Sequence, residues 1–181
     1  FTSDEAIAYY EDALDEVVKR APEALRTMHI NRGNRTIPLQ YLDRLDFYMF
    51  QPGHNYEGQP EAWRLPQDFI ANYPKKPMVN SEPCYEQMGA SRNVYWRFTA
   101  QDCRASVWSS ILAGASAGVT YGAHGVWNWQ TSKSQGSVLG EGFDMPFRWQ
   151  ECLQFAGVWD FGAIEHVLAG LGATAGDDAL A

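Results

Sequence analysis

The stretch Lys76-Pro77-Met78-Val79-Asn80-Ser81-Glu82-Pro83 constrains the fold of this chain more than any other. Pro77 has no N–H to give to a sheet ladder, so it stands at the start or edge of a strand, and Pro83 closes the segment for the same reason. Between them, Met78 and Val79 form a short apolar run that passes directly into Asn80, Ser81 and Glu82. A buried strand with polar residues at its C-terminal end is how parallel α/β proteins present their chemistry.

The rest of the chain repeats that pattern. Thr2 to Ala21 predicts a helix, with Ile7, Tyr10, Leu14, Val17, Val18 and Ala21 on one stripe and a Thr2–Glu5 capping box at its start. Pro22 ends it, and Leu25 to Ile30 follows as a strand. Leu45 to Gln51 predicts a second strand, broken by Pro52-Gly53 and followed by a helix around Gln67 to Ala71. Met78-Val79 is the third. After a loop from Gln87 to Phe98, Thr99 and Asp102 cap a helix whose Cys103, Val107, Trp108, Ile111, Leu112 and Ala115 share a face, with Gly118 at its end. Val119 to Tyr121 is a fourth strand, and Pro146 to Leu171 a last helical region. Four strands alternating with helices predict a parallel α/β sheet. They amount to half of an eight-stranded (β/α)8 barrel, which typically needs ~250 residues. The expectation is a partial barrel over residues 1–181, with two open edges that a missing segment would pair.

Composition removes several function classes. The chain has 181 residues, 45% of them hydrophobic, which is ample for a packed core. Its net charge of −8, without any cluster of Lys or Arg, argues against nucleic acid as a partner. No apolar run is long enough to span a bilayer, so no membrane partner is expected, and Phe1 begins neither a signal peptide nor an initiator Met. Cys84, Cys103 and Cys152 lack the spacing of a zinc or thioredoxin-type site and read as buried thiols.

The candidate site residues gather at the C-terminal ends of the strands. Glu82 suits a nucleophile, with Asn80 and Ser81 as neighbouring donors; the alternative is a helix cap or an ion pair with Arg. Glu86 reads as a substrate contact or a loop-fixing residue, since two carboxylates four residues apart on one short element project from the same wall. Tyr85 reads as a hydroxyl donor to Glu82 or as a buried anchor. His29, His54 and His124 follow the first, second and fourth strands. Their scattered spacing argues against a zinc site, and no metal or other cofactor is assigned. His166 falls in the last helix as a surface or packing residue. Gln51 and Tyr121 stand at strand ends on the same face. Trp127 and Trp129 alternate along the chain, which would turn both to one side, either to stack on a ligand or to pack under the loop. Trp108, Trp149 and Trp159 are expected in the core. Asp144 and Glu141 sit in a Gly-rich loop as solvated charge or a closing lid.

Three of these segments, Leu45 to Asn55, Lys76 to Glu86 and Ala113 to Trp129, together resemble the bacterial apiosidase-like glycoside hydrolase catalytic domain, in that family's order and across almost the whole chain. The resemblance implies a (β/α)8 barrel of which this chain supplies strands five to eight. It implies a retaining hydrolase, exo-acting on polysaccharide side chains, with Glu82 as nucleophile. His29, Gln51, His54, Asn80, Tyr85, Glu86, Tyr121, His124, Trp127 and Trp129 would be its carbohydrate contacts. The acid/base carboxylate would follow strand four, upstream of Phe1. An extracellular or periplasmic setting goes with such a hydrolase, though no residue here encodes it. The other class is a noncatalytic carbohydrate-binding or structural half-barrel, and a second carboxylate opposite Glu82 separates the two.

Overall fold

The computed structural model describes residues 3–91, 94–132 and 143–172. Three short parallel strands form its centre: β1 (Tyr48–Phe50), β2 (Met78–Asn80) and β5 (Gly118–Val119). β2 lies in the middle, with Tyr48 opposite Met78 on one side and Val79 opposite Gly118 on the other. The strand expected around Met78-Val79 is therefore the middle strand of the sheet, and the architecture is mixed α/β with a parallel sheet.

The expected strand at Leu25 to Ile30 does not form a regular ladder. The segment runs beside β1, but side chains make much of the contact: the Asp46 carboxylate accepts from the Arg26 N–H at 2.7 Å, Thr27 Oγ1 donates to the Phe47 carbonyl at 2.8 Å, and Gln51 Nε2 donates to the Ile30 carbonyl at 2.6 Å. Only Asp46 N–H to the Arg26 carbonyl and Gly33 N–H to the Gln51 carbonyl cross between main chains. Side-chain bonds of this kind compete with sheet pairing for the same backbone groups.

Around the sheet stand α1 (Asp4–Arg20), α2 (Glu61–Asn72), α3 (Ala100–Leu112), α4 (Trp149–Cys152) and α5 (Ala156–Gly170). The cap of α1 is Ser3, whose Oγ accepts from the Ala6 N–H, and not Thr2, which lies outside the described residues. Ile7, Leu14 and Val18 of its stripe are half-buried, whereas Tyr10 and Val17 face solvent. α2 carries Pro66 inside it, which withdraws the N–H that would bond the Ala62 carbonyl. Ser110 on α3 supplies a substitute, its hydroxyl donating to that carbonyl at 2.8 Å, so the helix break becomes an interhelical bond.

The Thr99–Asp102 capping box of α3 forms as expected. Cys103, Val107 and Ile111 face inward, but Leu112 is 71% exposed, because the helix stops there and the chain reverses through Gly114 at φ +112°. Gly118, expected to end the helix, opens β5 instead. The region from Gln87 to Phe98, expected as a loop, holds an antiparallel pair, β3 (Gly89–Ser91) with β4 (Val94–Arg97). The β-branched and aromatic run Val94-Tyr95-Trp96 was the available signal. The last helical region is two helices, and Trp159, expected in the core, is 72% exposed on α5. Trp108 and Trp149 are only partly covered, and His166 is exposed.

The main core lies between β1, β2 and α2, where Tyr48 and Phe50 both meet the edge of Phe69, at ring separations of 5.9 and 6.3 Å. Each such ring removes ~150 to 250 Å² from water and fixes its neighbours' orientation through edge-to-face packing. A second cluster joins Cys84, Met88, Ala90, Phe98 and Cys103 below the β3–β4 pair. All three cysteines are buried free thiols. Among the described residues, no helix is long and apolar enough to cross a membrane.

Candidate active site

β2 delivers Glu82 by a rigid route. Asn80 is fully buried, its Nδ2 donating to Ser110 Oγ at 2.8 Å and its Oδ1 accepting from the Glu82 N–H at 3.2 Å. The strand end is thereby tied to α3, and through Ser110 to α2, before the chain turns at Pro83. Ser81 adds two further bonds to the Phe50 carbonyl, from its N–H at 3.0 Å and its hydroxyl at 3.1 Å.

Two imidazoles grip the carboxylate that results. His54 Nε2 lies 2.7 Å from Glu82 Oε1 and His29 Nε2 lies 3.1 Å from Oε2. The hydrogen bond from His54 holds Glu82 below the usual carboxylate range, against the opposing effect of burial, with both histidines' charges adding in the same direction. Glu82 is thus an ionised, oriented carboxylate, partly open to solvent, at the C-terminal end of the central strand. The two histidines reach it from the loops after residue 28 and after β1, so only the tertiary fold brings them together. Among the described residues no group of three or more His, Cys, Asp and Glu could hold a metal ion.

Tyr85 packs its ring on His54, with centroids 4.2 Å apart, and lies so close to Gly122 that a Cβ there would overlap it. Its hydroxyl makes no hydrogen bond to Glu82. Burial and the Glu82 charge push it up to about 12, so it stays protonated. The anchor reading is the one the geometry favours.

Several expected sugar contacts prove to be internal. The Gln51 amide is committed to Ile30, and Asn80 to Ser110 and Glu82. Glu86 is buried: its Oε2 accepts from the Tyr121 hydroxyl at 2.6 Å and from the Gly157 N–H at 2.9 Å. The Glu86 main chain bonds Gly122 and His124, forming a parallel bridge with Ala123. Glu86 thus ties the loop after β2 to the loop after β5 and to the start of α5. No sequence spacing could have paired it with Gly157, 71 residues away.

His124 is 1% exposed, with Nδ1 buried and without a hydrogen bond among the described residues. Burial first and the Arg97 charge second lower it to about 4. The sign follows directly: the unfolded imidazole takes up a proton near its ordinary ~6.5, the folded one only near 4, so lowering the pH between those values favours unfolding. Thermal melts should show stability falling from pH 6.5 toward pH 4.5 by up to about 3 kcal/mol, a slope that His124→Gln flattens. Asp46 and Glu82, also lowered, contribute only in the more acid carboxylate range.

Trp127 stacks over His124, with centroids 6.4 Å apart and an interplanar angle of 18°. Trp129 does not share that side: its φ of +50° breaks the extended alternation and carries its ring onto Trp149. Asp144 is exposed and 3.8 Å from Arg97, and Glu141 lies outside the described residues. Arg97, which sequence reading passed over, also donates to the Gln87 and Met145 carbonyls and so ties the β3–β4 pair to the 143–147 segment.

Comparison with known proteins bears on the fold and the family. The solved structure of a protein titled "Glycoside hydrolase" superposes with a TM-score of 0.73 at 21% identity, over 92% of this chain and 40% of that one. A glycoside hydrolase family 5 protein from Bacteroides vulgatus superposes with a TM-score of 0.74 at 24% identity, over 91% of this chain and 38% of its own. At these identities the likeness concerns the fold, and the chain spans about two fifths of each neighbour. No curated protein matches the sequence. The sequence family described as "Apiosidase-like, catalytic domain" matches residues 2–174, so this chain belongs to the apiosidase-like catalytic domain family, a glycoside hydrolase-like family.

Proposed function

We propose that the chain is the nucleophile-bearing half of a retaining, exo-acting glycoside hydrolase that removes sugars from polysaccharide side chains. The observation that carries this is the Glu82 carboxylate, held ionised between His29 and His54 at the C-terminal end of the central strand. In this reading segment 25–30, β1, β2 and β5 are strands five to eight of a (β/α)8 barrel. The parallel side-by-side order of β1, β2 and β5, the course of segment 25–30 beside β1 and the partial coverage of both structural neighbours support it.

Retention needs a second carboxyl group ~5 to 5.5 Å from the nucleophile. Glu86 is committed to Tyr121 and Gly157 and is not that group; in this proposal the acid/base belongs to a segment outside these 181 residues, which also pairs the open sheet edges. Glu82 attacks the anomeric carbon as the absent carboxylic acid protonates the leaving oxygen. Water then releases the glycosyl group with the acid acting as base. The His29 and His54 hydrogen bonds fix the attacking oxygens and keep them deprotonated, while Trp127, stacked on His124, offers an indole face to the sugar.

The test is the stereochemistry of the first product of a protein joining this chain to its complementary half. Proton NMR of the nascent sugar should show the substrate's anomeric configuration. A 2-deoxy-2-fluoro glycoside should add its glycosyl mass to the peptide containing Glu82. An inverted product, or label elsewhere, would remove the nucleophile assignment.

A further inference from the structure

Cys84 and Cys103 face each other in the second core cluster, and hydrolysis at Glu82 uses neither. Their sulfurs are 3.9 Å apart, on residues separated by 19 positions in the chain. The Cys84 thiol donates to the Cys103 sulfur, and the Cys103 thiol donates to the Cys84 carbonyl at 3.3 Å. Both side chains are buried. The third cysteine, Cys152, is turned elsewhere, its thiol on the His124 carbonyl at 3.5 Å. A thiol is a weak donor and a weak acceptor, so these contacts hold little by themselves. A disulfide needs its sulfurs at about 2.05 Å, an approach of roughly 2 Å between two atoms already directed at each other.

The position of the pair gives a bond there something to hold. α3 carries Cys103 near its start and Ser110 near its end. Ser110 anchors Asn80, two residues before Glu82, at 2.8 Å, and Cys84 stands two residues after Glu82. One helix thus meets the chain on both sides of the carboxylate. Residues 84 to 103 also enclose the β3–β4 ladder, which is separate from the central sheet. A two-stranded ladder is marginal by itself, and closing its base removes conformations that the unfolded loop would otherwise explore.

We propose that Cys84 and Cys103 form a disulfide when the chain folds in the presence of an external disulfide, leaving Cys152 as a free thiol. One cysteine thiolate attacks a sulfur of the external disulfide, whose S–S bond breaks and releases one thiol. The second thiolate then attacks the protein sulfur of that mixed disulfide and expels the other. Two protein thiols are oxidised, the external disulfide is reduced to two thiols, and the two protons pass to the leaving thiolates. The oxidant must reach the pair during folding. Once folded, both thiols are buried, and the hydrogen bond with Cys84, together with burial, pushes the Cys103 thiol up, which leaves little thiolate to react. The proposal does not rest on the hydrolase reading.

The full chain, reduced and unfolded in denaturant, is refolded once with excess oxidised glutathione and once with reduced glutathione alone. Thiol titration in denaturant should find one free thiol in the first sample and three in the second. Digestion of the first should yield two peptides joined through Cys84 and Cys103, two hydrogens lighter than the free pair and separated by reduction. The oxidised protein should melt roughly 5 to 10 °C above the reduced one, the shift that closing a loop of this length produces. Cys152→Ser should keep that difference, and Cys84→Ser should abolish it. Three free thiols after oxidative refolding, glutathione held on either cysteine, a bond that includes Cys152, or equal melting temperatures with and without the Cys84–Cys103 bond would each overturn the proposal.

Discussion

Replacing Glu82 by Gln in the protein completed by its acid/base half should reduce release of nitrophenol from aryl glycosides by a factor on the order of 10⁴, as expected when a member of a concerted catalytic set is removed. The change is nearly isosteric, so the fold should persist, and the drop should appear in kcat. The physical reason lies in what the two histidines do. They supply hydrogen bonds that suit an anion, at 2.7 and 3.1 Å, and an amide offers neither the charge nor a nucleophilic oxygen. The neutral amide also leaves His54 next to an NH₂ group in one of its two orientations. Wild-type rates in Glu82→Gln would leave Glu82 as a structural acceptor for His29 and His54 and remove the hydrolase mechanism proposed here.

Glu86→Ala should lower stability by about 2–4 kcal/mol, because the truncation strands two buried donors, the Tyr121 hydroxyl and the Gly157 N–H, and opens a cavity between three elements. For a chain of this size that corresponds to a fall in melting temperature of roughly 5–15 °C. A surface carboxylate in a solvated loop would cost less than about 0.5 kcal/mol, so calorimetry separates the two cases cleanly. Gly157 fits the same picture, since any Cβ there would press into the Glu86 carboxylate and the Tyr121 ring. Melting within a degree of wild type would show that the three elements are held by packing alone and that Glu86 is free to serve the substrate.

The elements that sequence alone determined are those whose cause is local. Pro77 and Pro83 bracket a two-residue apolar run, and β2 with Glu82 at its end follows. Thr99 and Asp102 bond each other three residues apart, and α3 begins there. The family was legible for the same reason, because its motifs are contiguous stretches at strand ends. Where a side chain competes for the backbone, local pattern misleads: Asp46 and Thr27 took over bonds that a strand at Leu25 to Ile30 would have used. The left-handed turn at Trp129 likewise defeated an alternation argument that assumes extended backbone.

The tertiary structure alone decided the chemistry of the site. Three histidines and two glutamates looked alike in the sequence as polar residues after strands. The fold set two of those histidines on Glu82, sealed the third under Trp127 and turned Glu86 inward onto Gly157. A side chain's protonation and partners depend on which segments lie within a few ångströms, and those segments come from 28 to 71 residues away. The sequence named which residues could act. Folding determined which of them meet.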